Sequence, residues 1–291
     1  MVVKALMVMG VIFALYAVFI AQVKPYWSIS HHKEQQDNQI KAEKYLYDYR
    51  QEHGVVVGSS LSSHLGNLPG IYNLALDGLS SLDGLAIVMK QKSPPRTVLI
   101  EINFIDREEN TSFTGLVNNP VLKPAKRLFM SMRADKQPLS VVVEQLQMTL
   151  DRLRAPFIIP DPAVPGSATS AQQASRYTEL LTKQLERYAQ APAPGVFEQQ
   201  LGKLRQAVSL LEQQGARVVF FEMPVDCRLD DSPRAKAVRV AFRQYFPQAT
   251  YSYVPRPACA AYQTADGIHL DAQSVTKYSY FLQEQLAKHK R

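Results

Sequence analysis

Two short stretches at opposite ends of the chain hold the residue types needed for nucleophilic catalysis. Near the amino end, Val55-Val56-Val57 runs into Gly58-Ser59-Ser60. Near the carboxyl end, Asp266-Gly267-Ile268-His269 sets an acid three residues before a base. A serine hydroxyl is a poor nucleophile until a base removes its proton. A histidine held in one tautomer by a carboxylate is such a base. Each stretch alone has a plainer reading. Strand-Gly-Ser turns are common, Asp-Gly is itself a turn signal, and a lone histidine more often serves structure. Together they make a Ser-His-Asp relay of Ser60, His269 and Asp266 the reading to test. Ser59 is the main rival nucleophile, ahead of Ser62 and Ser63, because one residue of slip along the turn redirects the side chain.

The surrounding pattern says what must position these groups. Val55-Val56-Val57 reads as a buried strand. Residues 71–76 and 97–102 read as two more, and 79–92 between them repeats Leu82, Leu85, Ala86 and Met89 at helical spacing. Ser80 or Ser81 can cap that helix, and Pro94-Pro95 stops it. Strand, helix, strand in this rhythm predicts an α/β fold with a parallel sheet. The serines then sit at the carboxyl end of a strand, where open α/β sheets place their ligands. After residue 194 the rhythm returns: a helix over 196–214 stopped by Gly215, a strand over 217–223, a helix over 232–245, a short strand over 249–253 and a closing helix over 272–288. Residues 107–194 are looser, with helical stretches at 139–153 and 175–188 around a proline-rich run at 156–165. That is too long for a simple crossover. It reads as a helical insertion, either lying over the site as lid or partner surface, or packed on the sheet edge.

The chain has 291 residues, 46% hydrophobic and 20% charged, with a net charge of +7. This suits one large domain with an appendage. The basic residues are scattered and no nucleic-acid motif occurs, so nucleic acid is not an expected partner. An anionic membrane or polysaccharide fits the charge equally well. Over residues 5–23 the only polar side chains are Tyr16 and Gln22. At about 1.5 Å per residue this run is just long enough to cross a bilayer core. Tyr26 and Trp27 follow it, as in an interfacial belt. A transmembrane anchor is favoured over a cleaved signal peptide, whose small-x-small site is not clear here. The expected organisation is an anchor at 1–27, a polar juxtamembrane stalk at 28–53 and the catalytic body at 54–291. His31-His32-Lys33 reads as a solvated run. Cys227 and Cys259 can form a disulfide in an exported protein or remain two thiols. Neither has a neighbouring His or Cys, so no metal is expected.

The order of these blocks resembles the SGNH, or GDSL-type, hydrolase superfamily. The residues that carry the resemblance are Gly58-Ser59-Ser60, then Asn73 and Gly78, then Asn103 after a strand, then Asp266-x-x-His269 before the last helix. It covers the body apart from the insertion. It implies a three-layer α/β/α fold, Ser60 as nucleophile, His269 as base and Asp266 as its orienter. It also implies an oxyanion hole from the Gly78 N–H and the Asn103 side chain, with no cofactor. Two departures mark a divergent branch. Ser59 replaces the usual Asp, and Glu101-Ile102-Asn103-Phe104 replaces Gly-x-Asn-Asp. With an N-terminal anchor, the chain looks like bacterial polysaccharide O-acetyltransferases of the cell envelope, some of which work with a multi-spanning membrane acyltransferase. The expected activity is O-acyl transfer, with acetyl as the first choice, to an extracellular or periplasmic polysaccharide. A carbohydrate acetylesterase with the same triad, and a non-catalytic scaffold for a membrane acyltransferase, are the alternatives. The expected location is the cytoplasmic membrane, single-pass, with the body outside.

Overall fold

The computed structural model describes residues 2–23, 34–49, 54–66, 68–91, 93–137 and 170–288. The helix read at 139–153 and the proline-rich run at 156–165 lie outside the described residues. The chain divides into two compact units. One comprises Met1–Tyr47 with Gly115–Ser167, and the other Asp48–Thr114 with Ala168–Arg291. Residues 115–167, within the segment read as an insertion at 107–194, fall in the first unit. Only the flanks of the looser segment belong with the sheet.

The larger unit is built on a five-stranded parallel sheet of order β2-β1-β3-β4-β5. The strands are β1 (Gly54–Gly58), β2 (Ile71–Ala75), β3 (Thr97–Glu101), β4 (Arg217–Phe221) and β5 (Ser252–Tyr253). All five residues of β1 are buried. That explains its continuous apolar run, since a strand covered on both faces needs no polar alternation. Val56, Leu99, Val219 and Phe221 share one core cluster with Tyr278, Leu282 and Leu286 of the closing helix, Ala272–Lys288. On the opposite side of β1, Gly84 of the helix Ser81–Val88 lies against Val57 so closely that an added Cβ would crowd the valine side chain. Helices thus cover both faces. The strand order reverses at β1, which has β2 on one side and β3 on the other. This is the switch point where α/β sheets open a crevice.

The smaller unit contains the N-terminal helix α1 (Val2–Val23) and a second helix, α2 (Glu34–Tyr47). The first is long and apolar enough to cross a membrane, with mean hydropathy 2.4 over Val3–Ile20 and almost none of that window buried. The second lies within the segment read as a stalk. Its composition is polar, yet Asn38, Ile40, Ala42, Glu43, Tyr45 and Leu46 are buried. The reason is a buried ion pair. The Glu43 carboxylate accepts from Lys126 Nζ at 2.6 Å and from the Ala134 N–H at 2.7 Å. A buried charge persists only when it is paired and hydrogen-bonded.

Candidate active site

The helical turn after β1, Ser60–Ser63, carries the first site residue. Ser59 is its N-cap, and its hydroxyl accepts the Leu61 N–H at 3.2 Å. The same hydroxyl donates to Glu101 Oε1 at 2.7 Å, and the residue is 1% exposed. Capping thus turns the Ser59 side chain into the protein, onto Glu101. The next residue faces the other way. Ser60 Oγ lies 3.0 Å from His269 Nε2, and His269 Nδ1 lies 2.7 Å from Asp266 Oδ2. The other oxygen of Asp266 accepts the N–H groups of Ile268 and His269 at 3.0 and 2.8 Å. The turn therefore fixes the carboxylate on which the imidazole sits. Residues 209 positions apart are brought together because β1 and the approach to the closing helix both end at the same edge of the sheet.

Electrostatics follow from this geometry. The bond from Asp266 raises the His269 pKa above its ordinary value, against partial burial, and the charges of Asp77 and Glu101 add to the rise. Burial opposes ionisation of Asp266, but its bonds from the His269 ring and from the two N–H groups outweigh it and hold the carboxyl below the usual range. Both shifts favour the pair in its ionised form, imidazolium beside carboxylate.

Glu101 is the residue that the sequence reading passed over. It ends β3, is 1% exposed, and lies directly under the serine turn. Its carboxylate accepts the Ser59 N–H at 2.9 Å, the Ser59 hydroxyl at 2.7 Å and the Ser62 hydroxyl at 2.5 Å. Burial raises its pKa, although the bonds from Ser62 and Ser59 pull the other way. Gly58 is small for the same reason. An added Cβ there would overlap Ser62 Oγ and Glu101 Oε2. The available signal was an acid set between Ile100 and Ile102 at the end of an apolar strand, where a carboxylate must find donors.

The other predicted residues are placed as follows. Asn73 donates to the Ser62 carbonyl at 2.8 Å, which staples the serine turn to β2. Gly78 follows β2 in a left-handed conformation, φ 70°, that side chains rarely adopt. Asn103 pins the ends of two strands together. Its Nδ2 donates to the Met223 carbonyl at 2.9 Å and its Oδ1 accepts the Met223 N–H at 2.7 Å. Only one of its two amide protons is used in that pair. Cys227 and Cys259 form a disulfide. No group of His, Cys, Asp or Glu suited to a metal occurs among the described residues.

The helix Ser170–Tyr188 is built into the wall of the site. Leu181 and Tyr188 share a core cluster with Ile268 and Leu270 on either side of His269. Tyr177 donates to Asp226 Oδ2 at 2.7 Å, and the Asp226 N–H donates to the Gly267 carbonyl at 2.8 Å. A cleft of about 500 Å³ opens beside this turn, lined by Tyr177, Asp226, Arg228, Tyr262, Gln263 and the disulfide. No protein-family model matches the chain, and no curated protein matches it.

Proposed function

We propose that this chain is a membrane-anchored serine O-acyltransferase of the SGNH type, with that superfamily's three-layer α/β/α body, acting on polysaccharide hydroxyls outside the cytoplasm. The observation that carries the reading is the unbroken hydrogen-bonded line from Ser60 through His269 to Asp266. In the first half-reaction Ser60 Oγ attacks the carbonyl carbon of an acyl ester while His269 Nε2 takes the hydroxyl proton. The tetrahedral intermediate collapses, the C–O bond to the leaving alkoxide breaks, and His269 returns the proton to it. The product is an acyl-serine. In the second half a sugar hydroxyl gives its proton to His269 and attacks the acyl carbon. Ser60 leaves and recovers the proton.

The oxyanion of each intermediate needs preorganised donors. We assign this to the Gly78 N–H and the second amide proton of Asn103. Ser60 opens a helical turn, so its own N–H has no intrahelical acceptor and adds a third donor. The apolar helix α1 supports the membrane part of the reading, and the disulfide supports an oxidising compartment. A multi-spanning membrane protein that presents an activated acyl group would be the donor side.

Hydrolysis is the second reading. The side chains of His269 and Asp266 keep 32% and 23% of their exposure, so water reaches the same acyl-serine. The test is covalent labelling of the full chain in detergent with a fluorophosphonate, followed by peptide mapping. We expect one adduct, on Ser60, absent from His269→Ala. Labelling unaffected by His269→Ala, or located elsewhere, would sink the proposal. Release of acetate from an acetyl ester, with and without oligosaccharide, then separates esterase from transferase.

A further inference from the structure

Exposed large apolar side chains are not spread evenly over the described residues. Ten lie on α1, five lie within residues 116–130, and four are scattered over the rest. The five are Leu116, Val121, Leu128, Phe129 and Met130, with Val121 and Leu128 at 77% and 78% exposure. A soluble surface rarely gathers such residues without a partner for them. Their neighbours are basic. Residues 115–134 contain Lys123, Lys126, Arg127 and Arg133 and no acid. Lys126 is neutralised by Glu43, and the Arg133 guanidinium stacks 4.9 Å from the centre of the Tyr47 ring. Arg127 is exposed at the apolar edge, on the short helix Leu122–Leu128.

This segment is fixed to α1. The rings of Phe13 and Phe129 meet edge to face at 5.7 Å, and Tyr16 donates to the Lys136 carbonyl at 2.5 Å. Phe13 is ten residues from the end of α1 at Val23, which is about 15 Å along the axis. A helix that crosses a hydrocarbon core of about 30 Å carries Phe13 well below its surface. Phe129 must go with it.

We infer that residues 116–130 form a collar around the anchor that enters the same bilayer and faces anionic lipid. The inference rests on the reading that α1 lies in a membrane. Val121, Leu128, Phe129 and Met130 occupy the acyl region. Arg127, two residues from Phe129, lays its stem along that apolar surface and extends its guanidinium toward the phosphates, as long cationic side chains do at interfaces. The protein therefore holds its membrane by two signals, a helix and a basic apolar edge.

Tryptophan fluorescence tests this directly. The full chain has one tryptophan, so Trp27→Phe gives a blank background. Single reporters Val11→Trp, Leu128→Trp and Val240→Trp are then reconstituted in phosphatidylglycerol vesicles with brominated acyl chains. All three sites are exposed apolar positions, so the substitutions leave the core untouched. We expect bromine to quench the reporters at 11 and 128 severalfold more than the one at 240. The quenching at 128 should be stronger in anionic than in neutral vesicles. Quenching at 11 but not at 128 overturns the collar and leaves the anchor standing. That result would turn the apolar edge over to a protein partner. No quenching at 11 overturns both. Equal quenching at 128 in the two lipids removes the role given to Arg127.

Discussion

Removing the carboxylate of Glu101 should disturb both the stability of the sheet unit and the aim of Ser60. Glu101→Ala leaves three donors without their acceptor: the Ser59 N–H and the hydroxyls of Ser59 and Ser62. The hydroxyls can rotate, but the N–H cannot. An orphaned buried donor costs about 1–3 kcal/mol, and each lost hydroxyl bond about 1 kcal/mol, so the sum is about 3–5 kcal/mol. For a unit of this size each kcal/mol lowers Tm by about 2–4 °C, which gives a fall of about 6–20 °C. Glu101→Gln keeps an acceptor for the N–H and lets one hydroxyl turn to accept, so it should lose about half as much. The serine turn is held from below by this group alone among the acids named here, and a displacement of about 1 Å at a nucleophile can cost on the order of 100-fold in rate. Differential scanning calorimetry and turnover of p-nitrophenyl acetate would read the two effects. We expect Ala to lose more than Gln in both, with the rate falling in kcat and not in KM. If Glu101→Ala melted and turned over like the unaltered protein, the carboxylate would have no positioning role.

Three further outcomes follow from the same geometry. His269 must be neutral to act as base, and its pKa is raised by the Asp266 bond, so activity should fall as pH drops through a value above about 6.5. Asp266→Asn should move that acidic limb to lower pH and cut kcat by on the order of 10⁴. A rate profile whose limb does not move would refute the assignment. The stability that His269 adds through this bond is complete below its unfolded pKa and is lost as pH rises through the folded one, so the Asp266→Asn melting deficit should shrink above neutrality. Gly58→Ala should lower Tm by several degrees through overlap with Ser62 and Glu101, whereas Gly202→Ala, with open space around it in the helix Pro194–Gln213, should leave Tm unchanged or raise it. Asn103→Asp keeps the acceptor for the Met223 N–H but loses its amide protons. It should lower kcat by about 10²–10³ if one of them serves the oxyanion, and a kcat change no larger than the Tm change implies would remove that role.

Much of the sheet unit was legible because its signals are local. The closing helix runs over Ala272–Lys288 as read, since Asp271 caps it by accepting the Ser274 N–H at 2.7 Å. The helix after residue 232 begins where Ser232 caps it, by accepting the Ala235 N–H at 3.2 Å. The spacing of Asp266 and His269 is likewise local, because one tight turn supplies both groups. What was not legible depends on distant partners. The helix Glu34–Tyr47 has the composition of a solvated stalk, and its buried Glu43 finds Lys126 and the Ala134 N–H, 83 and 91 residues away. Glu101 looked like a flaw in a motif because its donors come from the turn after another strand. Strand ends were overrun by one or two residues, as at Leu76 and Met223, because apolar character continues past the last residue of each strand.

The bond between Cys227 and Cys259 ties the turn after Met223 to the loop that leads to Asp266, across 32 residues. Both ends line the cleft beside the acid–base turn. The same two loops also meet through the Asp226 N–H, which donates to the Gly267 carbonyl at 2.8 Å, and through the ion pair of Arg256 with Asp230 at 3.2 Å. Closing a ring of this length removes conformational freedom from the unfolded chain, which stabilises the folded one by on the order of 3–4 kcal/mol. The wall of the cleft is thus covalently closed at the point where the two loops meet.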